Sequence, residues 1–313
     1  MSTDRHDTRL DRFADNYAQR TSRMRVSAVR ALFSVANRPE IVSLAGGMPN
    51  IKDLGLDAIA DNVSRLIRDH GARIMQYGSG QGEPEIREGV CDVMALEGIH
   101  AHPDDVVVTA GSQQGLDLVT RVFCDPGDVV LAESPSYVGA LGTFLSYQTE
   151  VVHVASDADG IDPVALRETC ERLRADGKRV KFLYTIPNFG NPSGLTQPVE
   201  RRREVLDVCN AMDVMCVEDN PYGLLSLESE PLPAMRSLDP DVIYLGSFSK
   251  IFAPGFRIGW VLAPHAVREK LVLAQESATL CPPVFSQFAI SDYLEHYDWQ
   301  GQIEVYPTCT AGA

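Results

Sequence analysis

One lysine, Lys250, stands among small hydroxyl residues, with Ser247 and Ser249 before it and Arg257 and Gly259-Trp260 shortly after. The apolar run Val242-Ile243-Tyr244-Leu245-Gly246 precedes them and reads as a buried strand. An amine attacks a carbonyl only when neutral. Burial and a neighbouring cation both lower an amine's pKa, so a lysine at a strand end near an arginine can be activated. The hydroxyls and the guanidinium suit a phosphate. This combination fits a Schiff base to a phosphate-bearing aldehyde. A lone Ser-x-Lys after a strand is equally the mark of an ordinary surface lysine, so the rest of the chain must decide.

Other stretches carry complementary chemistry. Ala110-Gly111-Ser112-Gln113-Gln114-Gly115 turns from a short strand into a helix. Free amides and the helix dipole there would attract an anion. Pro187-Asn188-Phe189-Gly190-Asn191-Pro192-Ser193-Gly194 must turn. Glu218-Asp219-Asn220-Pro221-Tyr222 closes another apolar run. An aspartate there is costly unless paired, although Asp-Asn-Pro also suits a plain turn or cap. Tyr137 follows a strand, where an aromatic is most simply core packing. Tyr77, ahead of Gly78 and Gly82, reads alone as a loop tyrosine. Gly46-Gly47-Met48-Pro49 breaks a preceding arginine-rich helical arm that contains Arg23, and paired glycines let backbone approach a ligand closely.

The elements that must position these residues alternate. Strands are expected at 106–109, 128–131, 150–154, 180–185, 214–217 and 242–246. Helices are expected over about 57–70, 83–97, 116–123, 162–175, 199–210, 265–279 and 284–297, the fourth capped by Asp162-Pro163. Such alternation implies a mostly parallel sheet flanked by helices, with the ligand at the carboxyl ends of the strands.

Composition narrows the class. With 313 residues, 44% hydrophobic and 23% charged, the chain can bury a large core. A net charge of -15 argues against nucleic acid or an anionic membrane as the main partner. No apolar run reaches the about 18 residues of a membrane span, and the polar N-terminus lacks a signal-peptide core. The seven cysteines form no Cys-x-x-Cys pair and read as reduced thiols of a cytoplasmic protein. No metal-ligand spacing occurs among the seven histidines.

In their order along the chain, the lysine segment, the Gly-Ser-Gln-Gln turn, the Pro-Asn-x-x-Asn-Pro-x-Gly string and the Asp-Asn-Pro-Tyr segment resemble pyridoxal-phosphate aminotransferases of fold type I. The likeness is greatest to the subgroup of 2-aminoadipate and kynurenine aminotransferases, over about residues 20–303. The resemblance implies a three-layer α/β/α large domain at 51–285. An N-terminal arm at 1–50 would belong to a small domain, and residues 286–313 would begin an incomplete C-terminal part of it.

The resemblance also implies roles. Lys250 would form the Schiff base with pyridoxal 5'-phosphate and then carry the substrate Cα proton. Ser112, Gln113, Ser247, Ser249 and Arg257 would hold the phosphate, and Tyr137 would stack on the ring. Asn191 and Tyr222 would hold the 3'-oxygen, and Asp219 the pyridinium nitrogen. Tyr77 would reach across a homodimer to the partner's cofactor, and Arg23, Gly47, Tyr77 and Asn191 would meet the substrate. The implied partners are an amino acid, aromatic or like 2-aminoadipate, and a 2-oxo acid such as 2-oxoglutarate.

The family continues well past this point and carries there an arginine for the substrate α-carboxylate. Here the chain ends with Val305-Tyr306-Pro307, which does not suit a long helix. The resemblance therefore implies a truncated form without that arginine. A PLP-dependent lyase on the same scaffold and a catalytically impaired PLP-binding homologue are the alternatives.

Overall fold

The computed structural model describes residues 16–24, 41, 49, 51, 54–225 and 230–303. Among them, a seven-stranded sheet has the order β1-β9-β8-β7-β6-β2-β3. Its strands are β1 (Val106–Thr109), β2 (Val129–Glu133), β3 (Glu150–Val154), β6 (Val180–Thr185), β7 (Met215–Asp219), β8 (Ile243–Ser247) and β9 (Gly259–Leu262). β9 runs antiparallel to both β1 and β8, and the remaining pairings are parallel. β4 (Ser156–Asp157) and β5 (Gly160–Ile161) form a small separate hairpin.

The helices are α1 (Leu56–Ile74), α2 (Pro84–Ala95), α3 (Ser112–Phe123), α4 (Val138–Ser146), α5 (Pro163–Ala175), α6 (Val199–Ala211), α7 (Met235–Leu238), α8 (Phe248–Ile251), α9 (His265–Thr279) and α10 (Val284–His296). Side-chain alternation along the strands divides them into layers. Val107, Tyr184, Val217, Leu245 and Val261 face Leu116, Phe144 and Leu271 of α3, α4 and α9. On the other face, Leu131, Leu183 and Cys216 meet Leu166, Val205 and Cys209 of α5 and α6. Beside them Val106, Val108, Tyr244 and Trp260 meet Val90, Met94 and Ile290 of α2 and α10. This is the expected three-layer α/β/α arrangement.

Three details differ from the sequence expectation and bear on the site. The helix expected from residue 116 begins at Ser112, because Gly111 takes φ +84 and turns the chain directly into α3. That shift puts Ser112 and Gln113 in the first helical turn. Strand β9 was not anticipated. It lies between β1 and β8, and its first residue, Gly259, packs against the Gly111–Ser112 backbone so closely that a Cβ would not fit. The boundary expected at 285–286 falls inside α10, which packs on α1 and α2 and places Ile290 and Tyr293 in the same core. Asp162 caps α5 as expected, its Oδ1 accepting from the Val164 amide at 2.8 Å. No helix among the described residues is long and apolar enough to cross a membrane.

The β8–β9 pair sets the floor under the lysine. Gly246 lies opposite Trp260, and a Cβ on Gly246 would collide with the buried indole. Gly246→Ala should therefore destabilise the chain by about 1–3 kcal/mol, the usual cost of overpacking a core, read as a lower urea midpoint with an unchanged slope. A loss below about 0.5 kcal/mol, the scale of a surface change, would contradict this packing.

Candidate active site

The candidate residues converge where five strands end or begin. Thr109, Thr185, Asp219 and Ser247 close β1, β6, β7 and β8, and antiparallel β9 starts there. Asp219 is nearly fully buried. One of its oxygens accepts from the Tyr184 hydroxyl at 2.7 Å, while Oδ1 has no partner among the described residues. Burial pushes this carboxyl up to about 6, against the opposing pull of the Tyr184 hydrogen bond. The site thus holds an acid that would gain from a cation or an N–H donor at Oδ1.

Lys250 lies in α8, immediately after β8, with Nζ 5.7 Å from the centre of the Tyr222 ring. Burial lowers its pKa from the ordinary lysine value. The sequence suggested that a neighbouring cation would share in this, but desolvation is the cause here. The Arg257 guanidinium is turned elsewhere, donating to the Ala110 carbonyl at 2.9 Å and to Ser249 Oγ and the Pro254 carbonyl at 3.4 Å. Tyr222 in turn meets Asn191, whose Nδ2 lies 3.5 Å from the phenol oxygen. Burial raises the Tyr222 pKa.

An anion cradle stands beside the lysine. Ser112 and Gln113 occupy the first turn of α3, where helix amides have no acceptor within the helix. Arg257 crosses over Gly111 so closely that a Cβ there would strike the guanidinium. Arg257 itself adopts φ +55, uncommon for a non-glycine residue. Ser247 is occupied as the cap of α8, its Oγ accepting from the Ser249 amide at 3.1 Å. Gln114, not singled out in the sequence, braces the cradle: its Oε1 accepts from the Ala110 amide at 2.6 Å. Tyr137 leads into α4 with its hydroxyl 3.4 Å from Gln113 Oε1, and Gln113 Nε2 holds Thr143 at 2.7 Å. Tyr137 is partly buried against the cluster that contains Phe144 and Tyr184.

Two expected residues stand apart. Tyr77 is 77% exposed on the loop between α1 and α2. Arg23 ends a short 3-10 turn, Gln19–Arg23, that packs on α4, and its Nη1 lies 3.5 Å from the Thr149 carbonyl. That is the amino end of β3, opposite the carboxyl ends, so in this chain Arg23 does not join the cluster. Gly47 lies outside the described residues.

Several residues that build the site gave little sign in the sequence. Tyr184 reads as one apolar residue of β6, and only its register, opposite Val217 and two residues from Asp219 across the pair, shows where its hydroxyl can reach. Glu133, at the end of β2, accepts from the Ile186 amide at 2.7 Å and so ties the motif loop to the sheet. Burial pushes its carboxyl up to about 8. A signal existed in both cases, a polar residue closing or interrupting an apolar strand, but its partner was not readable.

The orphan Asp219 oxygen, the lysine with lowered pKa and the arginine-roofed helix start fit a phosphorylated pyridine aldehyde, and comparisons agree. Residues 47–302 match the family described as Aminotransferase class I and II. The chain is similar to aromatic-amino-acid aminotransferase 1 of Thermococcus litoralis, at 38% identity over 283 residues, which is 89% of this chain and 68% of that one. It is also similar in structure to a kynurenine aminotransferase of Pyrococcus horikoshii, solved with PMP, with TM-score 0.87 and 36% identity over 93% of this chain and 73% of that one. An α-aminoadipate aminotransferase of Thermus thermophilus, complexed with N-(5'-phosphopyridoxyl)-L-leucine, gives TM-score 0.86 and 31% identity over 96% of this chain and 74% of that one. The chain belongs to the class I and II aminotransferases, the pyridoxal-phosphate enzymes that move an α-amino group from an amino acid to a 2-oxo acid.

Proposed function

We propose that this chain takes the α-amino group of an aromatic or 2-aminoadipate-like amino acid and passes it to a 2-oxo acid such as 2-oxoglutarate, at the cluster around Lys250 and Asp219. The donor class is supported by the relatives, which are named for aromatic amino acids, 2-aminoadipate and kynurenine. The observation that carries the site assignment is the buried Asp219, with one oxygen fixed by Tyr184 and the other without a partner among the described residues, at the end of β7 and next to β8, which leads into the helix of Lys250.

Each residue's part follows from its surroundings. Pyridoxal phosphate, when bound, supplies a protonated ring that draws in the electron pair of a broken Cα–H bond. Asp219 keeps the ring nitrogen protonated, because a cation is what its unpaired oxygen lacks. Lys250 Nζ, held toward its neutral form by burial, would hold the cofactor through its aldehyde group and, once the substrate amine has taken that place, would be free to accept the Cα proton. Asn191 and Tyr222, already in contact, hold the 3'-oxygen. The first-turn amides of Ser112 and Gln113, with Ser249 and Arg257, hold the phosphate. Ser247 acts on it through Ser249, whose amide it caps. Tyr137 packs against the ring. Gly47 and Asn191 meet the substrate, and Arg23 could do so only after leaving Thr149.

We further propose a homodimer. Met75 and Tyr77 are 65% and 77% exposed, and the loop that follows is held to α9 through Gln275 and the Gly80 carbonyl. Leu280, just past α9, is 62% exposed. A second subunit would cover these apolar side chains and receive Tyr77 at its cofactor.

Two outcomes test this reading. Mixing cofactor-loaded protein with 2-aminoadipate or an aromatic amino acid should release one equivalent of the matching 2-oxo acid as the visible cofactor band is lost. Asp219→Asn should keep the band while slowing this half-reaction by about 10²–10³, the scale of losing a fixed electrostatic group. A decarboxylated product, or an unchanged Asp219→Asn rate, would contradict the assignment. In sedimentation the chain should be dimeric, and Tyr77→Phe should weaken cofactor binding without dissociating the dimer. A monomer whose cofactor affinity ignores Tyr77→Phe would overturn the shared-site arrangement.

A further inference from the structure

A buried polar chain joins the segments that follow β6 and β7, which carry Asn191 and Tyr222. Arg202, in α6, is fully buried; its Nε donates to the Gln197 carbonyl at 3.0 Å and its Nη1 to the Pro233 carbonyl at 2.7 Å. Its Nη2 donates to Asn188 Oδ1 at 2.5 Å. Asn188 Nδ2 donates to Asn220 Oδ1 at 2.9 Å, and Asn220 Nδ2 donates to Glu97 Oε1 at 2.6 Å. The second Glu97 oxygen accepts from the Tyr244 hydroxyl at 2.8 Å. All five residues are almost wholly removed from solvent.

The ends dictate the order. A guanidinium can only donate and a carboxylate can only accept, so both asparagine amides are forced into one orientation. Hydrogen bonds aligned between opposite charges polarise one another. Glu97 also lies against the backbone just past Tyr222: a Cβ on Gly223 would strike Glu97 Oε1 and the Asn220 amide. Burial and the nearby Glu218 push the Glu97 carboxyl up to about 7, opposed by the Tyr244 and Asn220 hydrogen bonds and by Arg202.

We infer that Glu97 is a positioning residue for the cofactor site, acting through Asn220 and Asn188 to fix the Asp219–Tyr222 segment against the Asn191 loop. The inference rests on the reading of Asp219, Tyr222 and Asn191 as cofactor contacts. Asn220 is bonded to Asp219, and Tyr222 is two residues further on; Asn188 is three residues before Asn191. The Asn188–Asn220 bond joins the two segments that follow β6 and β7, and it is from these same segments that Asn191 and Tyr222 meet at 3.5 Å. Glu97 itself is far upstream, two residues past the end of α2, and touches none of the reacting positions.

The test compares Glu97→Gln with Glu97→Leu by titrating pyridoxal phosphate into each purified chain and following the visible band. The dissociation constant and the pH midpoint of the band are read together with the melting temperature of the cofactor-free protein. Glutamine can still accept from Asn220, so Glu97→Gln should stay within about twofold of wild type. Glu97→Leu strands the Asn220 amide, a loss of the size that weakens binding about tenfold, and should move the band's pH midpoint by loosening Tyr222 from Asn191. A Glu97→Leu protein that melts earlier but keeps both the dissociation constant and the midpoint would show the chain to be structural only. Equal losses in both variants would also overturn the relay. If Glu97→Leu does not fold, Gly223→Ala, which presses on the same two side chains, decides by the same readouts. Absence of any band in the wild-type chain would remove the cofactor reading itself, which is a different failure.

Discussion

A carboxylic acid buried at the end of β7 must either keep its proton or meet a cation, and much of the site follows from that one constraint. Among the described residues the Asp219 carboxyl has a single hydrogen-bond partner, the Tyr184 hydroxyl, and one oxygen is left open. Desolvating a carboxylate in this way costs several kcal/mol unless something repays it. In the proposed site a protonated ring nitrogen would do so, and by holding that proton the acid would make the ring an electron acceptor. The same burial acts on Lys250 in the opposite sense, since both groups are pushed toward their neutral forms. One desolvated cleft thus prepares a base to attack and an acid to be paired.

The sheet makes that cleft. Parallel strands deliver Thr109, Thr185, Asp219 and Ser247 to one edge, and antiparallel β9 returns between β1 and β8 to bring Arg257 beside the start of α3. Glycines permit the close approaches: Gly259 packs on the Gly111–Ser112 backbone, and Gly111 accepts Arg257 across it. The chain from Arg202 to Glu97 links the two loops from which Asn191 and Tyr222 meet. Groups at the edge are poised for chemistry, while those of the chain are satisfied polar residues that hold the loops in register.

Much of this could be read from the sequence. The apolar runs located most strands, because buried parallel strands are short and continuous, and the Lys250, Asn191, Asp219 and Ser112 segments lay at strand ends as expected. The limits have physical causes. Strand β9, Gly259 to Leu262, is a four-residue run after a turn, and nothing local says that it pairs between β1 and β8. Tyr184, Glu133 and Glu97 act through partners tens of residues away, so their types were visible but their bonds were not. Arg23 shows the reverse: matched by resemblance, it rests at the amino end of β3, because that is where its short turn packs.

One lysine, shifted toward its neutral form by burial, is expected to capture the cofactor. Borohydride reduction of the chain incubated with pyridoxal phosphate near neutral pH, followed by peptide mass spectrometry, tests it most directly. Burial lowers the Lys250 pKa, so at a pH below the ordinary lysine value of about 10.4 a larger fraction of its amine is neutral than at exposed lysines. The expected result is a single reduced phosphopyridoxyl adduct on Lys250, lost in Lys250→Ala. Adducts spread over Lys52, Lys178, Lys181 and Lys270, or an unlabelled Lys250, would contradict the account.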